Sequence, residues 1–251
     1  MQIINKNIVR QRFMQTAKSY DLNAIAQKEI AHQLLTRLSA FSFSSDTMLE
    51  VGCGSGFLTK PLLSQFTFQK IILNDLYPIQ NQLEQHLNGT NYSFIEGDAE
   101  TIDWDTTFDL ILSASTIQWF DDPCHFFKKC FDTIRPNGIF AFSTFSPNNF
   151  HEIEELTGVG LNYKTVSDLK QSLSPYFEIL DLYEDKLTLN FQTPREVLKH
   201  ISTTGVNGLS SKRWTKSSLA HFIQEYELKF KTSCGVTLTY APIYIVARKK
   251  H

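Results

Sequence analysis

Glu50, the glycines at 52, 54 and 56, Asp75 and Asp98 are the residues whose types and spacing most plainly allow chemistry. Met48-Leu49-Glu50-Val51-Gly52-Cys53-Gly54-Ser55-Gly56 reads as a short apolar strand running into a glycine-rich turn, with helix-forming sequence beyond it. Glycine lets the backbone approach a ligand closely, because no Cβ stands in the way. A carboxylate at the strand tip repels phosphate and attracts ammonium. The turn therefore suits a nucleotide-like ligand that is cationic at one end, such as S-adenosylmethionine, which joins an amino-acid head, a sulfonium and an adenosine. A dinucleotide fingerprint needs G-x-G-x-x-G, its third glycine packing helix on strand. Here the third glycine is Gly56, and Phe57 stands where that motif places it. Taken alone, the segment also reads as a strand-to-helix turn with no ligand.

The residues that follow narrow the choice. Asp75, with Leu76 beside it, lies at about the offset where doubly wound folds set an acid on ribose hydroxyls. A carboxylate accepts from both hydroxyls at once. Asp98, with Ala99 next to it, can accept from an adenine amine. Ser113 ends a further strand, and Gln118 follows just after it. Each acid alone is more often a helix cap or turn residue. Three at the ends of three consecutive strands point to one shared ligand.

The elements that must position these residues alternate. Residues 5–39 read as helical, with apolar positions at Ile25, Ile30, Leu34, Leu35 and Leu38. Strands are expected at 47–51, 70–74, 91–96, 108–113 and 138–145, and helices at 57–66, 77–87 and 122–133. Arg135-Pro136-Asn137-Gly138 reads as a turn. Helices follow at 148–157 and 167–173, a long β-prone run at 177–191, helices at 194–203 and 215–231, and a final strand at 235–247. The pattern implies an α/β fold with a doubly wound, Rossmann-like sheet and ligands beyond its C-terminal strand ends. One domain over residues 1–251 is expected, with residues 1–40 and 192–231 forming a helical lid over the active site.

Bulk properties exclude some classes. A hydrophobic fraction of 42% and a charged fraction of 20% are those of an ordinary globular protein. A net charge of −2 supplies no field that would draw the chain to nucleic acid or an anionic membrane. No apolar run approaches the roughly 20 residues that span a bilayer, and the polar N-terminus carries no signal-peptide pattern. Cys53, Cys124, Cys130 and Cys234 lack ligand spacing, so no metal site is expected, and reduced thiols fit a cytoplasmic protein. The 20 phenylalanines are expected mainly in the core.

The stretch from Leu49 to Phe145 resembles the class I, S-adenosylmethionine-dependent methyltransferases. The resemblance implies a seven-stranded sheet with its last strand antiparallel, Glu50 facing the methionine amino group, Gly52, Gly54 and Gly56 lining the cofactor, Asp75 on the ribose and Asp98 by the adenine. Five further segments resemble the malonyl-acyl-carrier-protein O-methyltransferases of biotin synthesis. They are Phe13-Met14-Gln15-Thr16-Ala17-Lys18-Ser19-Tyr20-Asp21, Ser115-Thr116-Ile117-Gln118-Trp119, Phe142-Ser143-Thr144-Phe145, Glu155-Leu156-Thr157-Gly158-Val159-Gly160 and Thr204-Gly205-Val206-Asn207-Gly208. That family esterifies the free carboxylate of a malonyl thioester, which disguises it for elongation by fatty-acid synthesis enzymes. Phe145-Ser146-Pro147-Asn148 departs from the family by lacking the glycine of Phe-Gly-Pro.

An ionised carboxylate needs no general base to attack a sulfonium methyl. The enzyme's work is then in-line positioning and removal of water. Tyr20 is the candidate at the reacting centre, its phenol offering a donor beside an apolar face. A cationic clamp for the carboxylate is expected among Arg195, Lys199, Lys212 and Arg213, with Lys199 and Arg213 leading. Lys212, Arg213 and Lys216 also suit an acidic carrier protein. Two rival readings remain: a small-molecule or quinone-type methyltransferase, for which His200 or His221 could serve as base, and a cofactor-binding protein without turnover. The chain is expected to be a monomer with no nucleic-acid or membrane partner.

Overall fold

The computed structural model describes residues 5–204 and 214–250. α1 (Lys6–Asn23) starts where the Asn5 side chain accepts from the Ile8 N–H at 3.2 Å. It ends before Ala24, and α2 (Ile25–Leu38) follows, so the stretch that reads as helical consists of two helices. Ile30, Leu34, Leu35 and Leu38 form the buried stripe of α2, whereas Ile25, the first residue of the helix, is 63% exposed. β1 (Thr47–Val51) is buried along its whole length, as a central parallel strand must be. α3 (Thr59–Gln65), β2 (Lys70–Asp75), α4 (Gln80–His86), β3 (Ser93–Glu96), β4 (Phe108–Ala114) and α5 (Pro123–Thr133) continue the alternation. Asp122 caps α5 by accepting from the His125 N–H at 3.0 Å, with Pro123 just inside the helix.

β5 (Ile134–Phe145) runs straight through the Arg-Pro-Asn-Gly segment that reads as a turn. In the pairing with β4, Phe108 faces Ile134 and Leu110 faces Ile139, so the extra residues of β5 bulge out of the ladder. Asn137 takes a φ of +65° there. The turn chemistry is real, but it makes a bulge and not a strand boundary.

α6 (His151–Thr157) and α7 (Val166–Leu173) follow. The long β-prone run then divides into β6 (Phe177–Glu184) and β7 (Leu187–Phe191). Next come α8 (Pro194–Thr203), α9 (Lys216–Phe230) and the short β8 (Lys231–Thr232). The last run likewise divides, into β9 (Gly235–Tyr240) and β10 (Pro242–Lys249). Each run supplies one strand to each of two sheets. The seven-stranded sheet has the order β3-β2-β1-β4-β5-β10-β6, and the three-stranded sheet the order β7-β9-β8. β1 pairs parallel with β2 and β4, β2 with β3, and β4 with β5, whereas β10 pairs antiparallel with β6.

The chain forms two compact units. The sheet unit takes in Ile25–Thr144, Lys164–Glu184 and Ile243–His251, and so includes α2. The other unit takes in Met1–Ala24, Phe145–Tyr163 and Asp185–Pro242. Phenylalanines are prominent in the core of the sheet unit among its aliphatic side chains. Phe140 and Phe142, on one face of β5, stack 4.7 Å apart, and Phe127 of α5 stacks on Phe142 at 5.4 Å. In the other unit α1 and α9 both pack against α8, and Tyr226 of α9 donates to the Thr237 carbonyl of β9 at 2.6 Å. No described helix is long and apolar enough to cross a membrane.

One buried acid ties the starts of three strands together. Asp109 Oδ2 accepts from the Thr47 N–H at 2.9 Å and from the Arg135 guanidinium at 2.9 Å. Its side chain is 7% exposed, whereas Arg135 is 39% exposed and keeps water contact after the acid is lost. Asp109→Ala should therefore destabilise the chain by about 1–3 kcal/mol, mainly through the orphaned Thr47 N–H, as measured by denaturant unfolding. An unchanged midpoint would show that this bond holds nothing.

Candidate active site

The site forms at the C-terminal ends of β1, β2, β3 and β4, within the sheet unit. Gly52, Gly54 and Gly56 take φ values of +69°, +50° and +89°, which L side chains rarely adopt. Gly52 also has no room for a side chain, since a Cβ there would run into Thr116. Around Gly54 the same position opens on free space. The turn is secured from β2: the Asn74 carbonyl accepts from Gly52 N–H at 2.9 Å and from Cys53 N–H at 3.0 Å. The Asn74 amide reaches the other way, donating to the Ile95 and Gly97 carbonyls at 2.9 and 3.0 Å.

Two carboxylates are enclosed by this arrangement. Glu50 is 1% exposed and accepts from Thr59 Oγ1 at 2.7 Å. Burial pushes its carboxyl up to about 8; the Thr59 bond acts against that, and the charge of Asp75 adds to it. Asp75 is 6% exposed, and its Oδ2 accepts from the Gly54 N–H at 2.8 Å. Burial raises it to about 6, opposed by bonds from the Gly54, Leu76 and Tyr77 N–H groups. The acid expected to wait for a ribose thus also clasps the glycine turn to β2. Leu76, next to it, is half-exposed.

Asp98 Oδ1 accepts from the Glu100 N–H at 3.0 Å, so it shapes its own turn. Ala99 is buried, and its carbonyl accepts from Lys129 Nζ at 3.0 Å. Glu100 binds the Asp121 and Asp122 N–H groups at 2.9 and 2.8 Å, which ties the loop after β3 to the loop before α5. Ser113 is turned inward: it is fully buried and donates to the Val51 carbonyl at 3.0 Å, linking β4 to β1. Ser115, two residues on, is held at φ +53° with a buried hydroxyl that has no hydrogen-bond partner. Gln118 donates to the Ser115 carbonyl at 2.6 Å and leaves its own buried Oε1 unmatched.

Thr59, Asn74, Ser115 and Thr116 escape a sequence reading centred on acids and glycines. A signal existed for Asn74, a lone amide ending the apolar run Ile71-Ile72-Leu73. None existed for Thr59, whose bond to Glu50 depends on how α3 leaves the turn.

The three remaining candidates lie elsewhere. Tyr20, near the end of α1, is half-buried with its ring 6.3 Å from that of Phe13. Lys199, on α8, is exposed. Arg213 and Lys212 fall outside the described residues. Arg195, one turn before Lys199, lines a cavity of about 720 Å³ formed by α6, the loop after it, α8 and α9. His200, a candidate base, is buried with its Nε2 2.8 Å from Tyr240 Oη, and burial lowers its pKa, so it serves the packing of its unit. Among the described residues no group of three or more His, Cys, Asp and Glu side chains could hold a metal ion.

The donor set fits S-adenosylmethionine. Two desolvated carboxylates favour a ligand with a positive charge, an open glycine cradle admits it, and orphaned oxygens at Ser115 and Gln118 offer polar contacts.

A family profile described as "Methyltransferase domain" matches residues 49–142. The chain is 39% identical to the malonyl-(acyl-carrier protein) O-methyltransferase of Bacteroides thetaiotaomicron, over 98% of this chain and 99% of that protein. It is 38% identical to the Haemophilus influenzae protein of the same name, over 99% and 96%. Among solved structures it resembles the YcgJ protein of Bacillus subtilis, with a TM-score of 0.61 at 15% identity, covering 88% of this chain and 99% of that one. It also resembles the N-methyltransferase NodS of Bradyrhizobium japonicum in complex with S-adenosyl-L-homocysteine, with a TM-score of 0.52 at 14% identity, covering 89% and 87%.

Two substitutions test the acids. Asp75→Asn keeps an acceptor for the Gly54 N–H, so it should weaken S-adenosylhomocysteine binding by roughly 1.5–3 kcal/mol with little change in melting temperature, whereas Asp75→Ala should lower both. Parental affinity in both variants, by calorimetry, would make Asp75 a turn residue only. The raised Glu50 carboxyl favours the ligand-free fold below its unfolded pKa, and that contribution is lost as pH rises from about 4.5 to about 8. Glu50→Gln should therefore melt higher than the parent near pH 8 while binding the ligand more weakly. Melting curves that run parallel across this range would remove the buried charge as the cause.

Proposed function

Because this chain belongs to the malonyl-(acyl-carrier protein) O-methyltransferases, we propose that it methylates the free carboxylate of a malonyl thioester, giving the methyl ester that starts pimeloyl-chain synthesis for biotin. The observation that carries this reading is the extent of the match. The methyltransferase profile alone stops at residue 142, but the relatives are matched across both units.

S-adenosylmethionine, when bound, supplies an electrophilic methyl group on a sulfonium. Glu50 is the residue to hold the ammonium end, the turn from Gly52 to Gly56 to lie along the ligand, Asp75 to hold the ribose, with Leu76 beside it, and Asp98 with Ala99 to flank the adenine. Gln118 and the backbone near Ser113 and Ser115 complete the crevice. The acceptor carboxylate is already ionised at neutral pH, so no side chain has to remove a proton. The protein's residues act by holding the acceptor in line and keeping water from it. We assign Tyr20 to the reacting centre and Lys199 or Arg213 to the acceptor carboxylate. Of the segments expected to form the lid, α1 and residues 192–231 serve in this reading, since α2 packs in the sheet unit. The acceptor is carried on acyl carrier protein, with Lys216 among its docking residues, and the enzyme works as a cytoplasmic monomer.

Incubation with S-adenosylmethionine and a malonyl thioester should add one methyl group, seen by mass spectrometry. With S-adenosylmethionine saturating, the rate should be nearly flat with pH above the acceptor's own pKa, since no protein base titrates. A thioester whose carboxylate is already esterified should be inert, and its turnover would overturn the mechanism. Of Lys199→Glu and Arg213→Glu, the variant at the true clamp should lose activity and keep cofactor binding. Full activity in both would remove them as clamps.

A further inference from the structure

The cavity formed by α6, α8 and α9 is not used by the crevice chemistry, and its size and lining describe what it takes. At about 720 Å³ it falls within the ~300–1,000 Å³ range of small-molecule sites. A malonyl group alone would leave most of that space empty. Its walls are mainly apolar, with Ile153, Leu198 and Phe222 among them, and polar groups are spaced between, Arg195, His221 and Glu225 included. Such a lining suits a chain in which methylene stretches alternate with amides.

The polar groups are preorganised. Asn149 Oδ1 accepts from the Ala241 N–H at 3.1 Å, and its amide donates to Tyr163 Oη at 2.8 Å. With its oxygen so occupied, the Tyr163 hydroxyl has its proton to give, and a carbonyl is the natural acceptor. Burial raises the phenol's pKa, so the proton stays in place. Phe150, also in the wall, is held at φ +56°, where a bulky residue is rarely found. Its N–H donates to the Thr239 carbonyl at 2.8 Å, and its ring meets Tyr240 edge-on at 4.7 Å. Strain of this kind persists where surroundings impose it and clusters at ligand sites. Finally, Leu156, Thr157, Val159 and Gly160 line the cavity, and all four lie in a segment that carries the resemblance to enzymes of carrier-bound malonate.

We propose that this cavity receives the pantetheine arm through which the malonyl group is presented. The inference rests on the methyl-transfer reading, since it names the part of that substrate held by this unit. The Tyr163 hydroxyl meets an amide or thioester carbonyl, the apolar wall takes the methylene and dimethyl groups, and the exposed Arg195 meets the phosphate end.

The test compares malonyl-pantetheine with malonyl-N-acetylcysteamine, which keeps the thioester but lacks most of the arm. Leu198→Trp and Ile153→Phe, two independent fillings of the cavity, should each raise KM for malonyl-pantetheine about tenfold. They should leave kcat, KM for the short thioester and S-adenosylhomocysteine binding near parental values, which also shows that the variants fold. Calorimetry with S-methyl pantetheine, which has no methyl acceptor, should show binding to the parent and loss of it in both variants. Parental discrimination between the two thioesters in both folded variants would overturn the proposal, as would binding of decanoate in place of S-methyl pantetheine. Failure of the methyl-transfer reading looks different: neither thioester gains a methyl group, whether or not the capped arm binds.

Discussion

Two carboxylates buried at the tips of neighbouring strands are the constraint on which the rest of this structure depends. Glu50 and Asp75 sit on β1 and β2, whose backbones pair directly, so their charges cannot move apart. The groups that bear on Glu50 most are the Thr59 hydroxyl and the charge of Asp75, and those that bear on Asp75 are backbone N–H groups. A buried charge without a cation is costly, and the cost appears as raised pKa values. The glycine turn, Thr59 and the N–H groups after Asp75 reduce that cost without removing it. What is left over is binding potential for a ligand that brings its own positive charge.

Backbone clasps hold the crevice in shape. Asn74 bonds to the turn after β1 through its carbonyl and to the end of β3 through its amide, so one residue registers three strand ends. Thr116 fills the space a side chain at Gly52 would need, and Ser113 ties β4 to β1 from inside. Asp109 does similar work at the opposite ends of the strands. The phenylalanine core behind β5 lets the sheet carry strained and desolvated groups at one edge.

Division of labour between the two units follows from the chemistry. An acceptor that is already an anion asks for placement more than activation, and placement needs contact surface. The sheet unit offers a cradle for a charged cofactor, whereas the other unit offers a roomy cavity with mostly apolar walls. The β-prone runs at 177–191 and 235–247 serve both, the first crossing from the large sheet to the small one and the second crossing back. Ala241, between β9 and β10, and Asp185-Lys186, between β6 and β7, mark the break, and the Asp185 N–H donates to the Pro242 carbonyl at 2.9 Å beside it.

The sequence by itself determined the parallel half of the large sheet, because period, glycine placement and turn residues are local properties. β1 begins and ends where its apolar run does, and α8 lies between its Thr193 cap and Thr204 as its pattern requires. It also put Glu50, Asp75 and Asp98 at or just beyond the C-terminal ends of β1, β2 and β3. Tertiary structure alone decided what those residues do before any ligand arrives. Asp75 clasps Gly54 and Ser113 turns inward to Val51, because hydrogen bonds between residues far apart in sequence set those directions. The same holds for the strand that passes through Arg-Pro-Asn-Gly and for the two β runs that split between sheets. In each, pairing partners brought together by the fold outweigh the local preference of the chain.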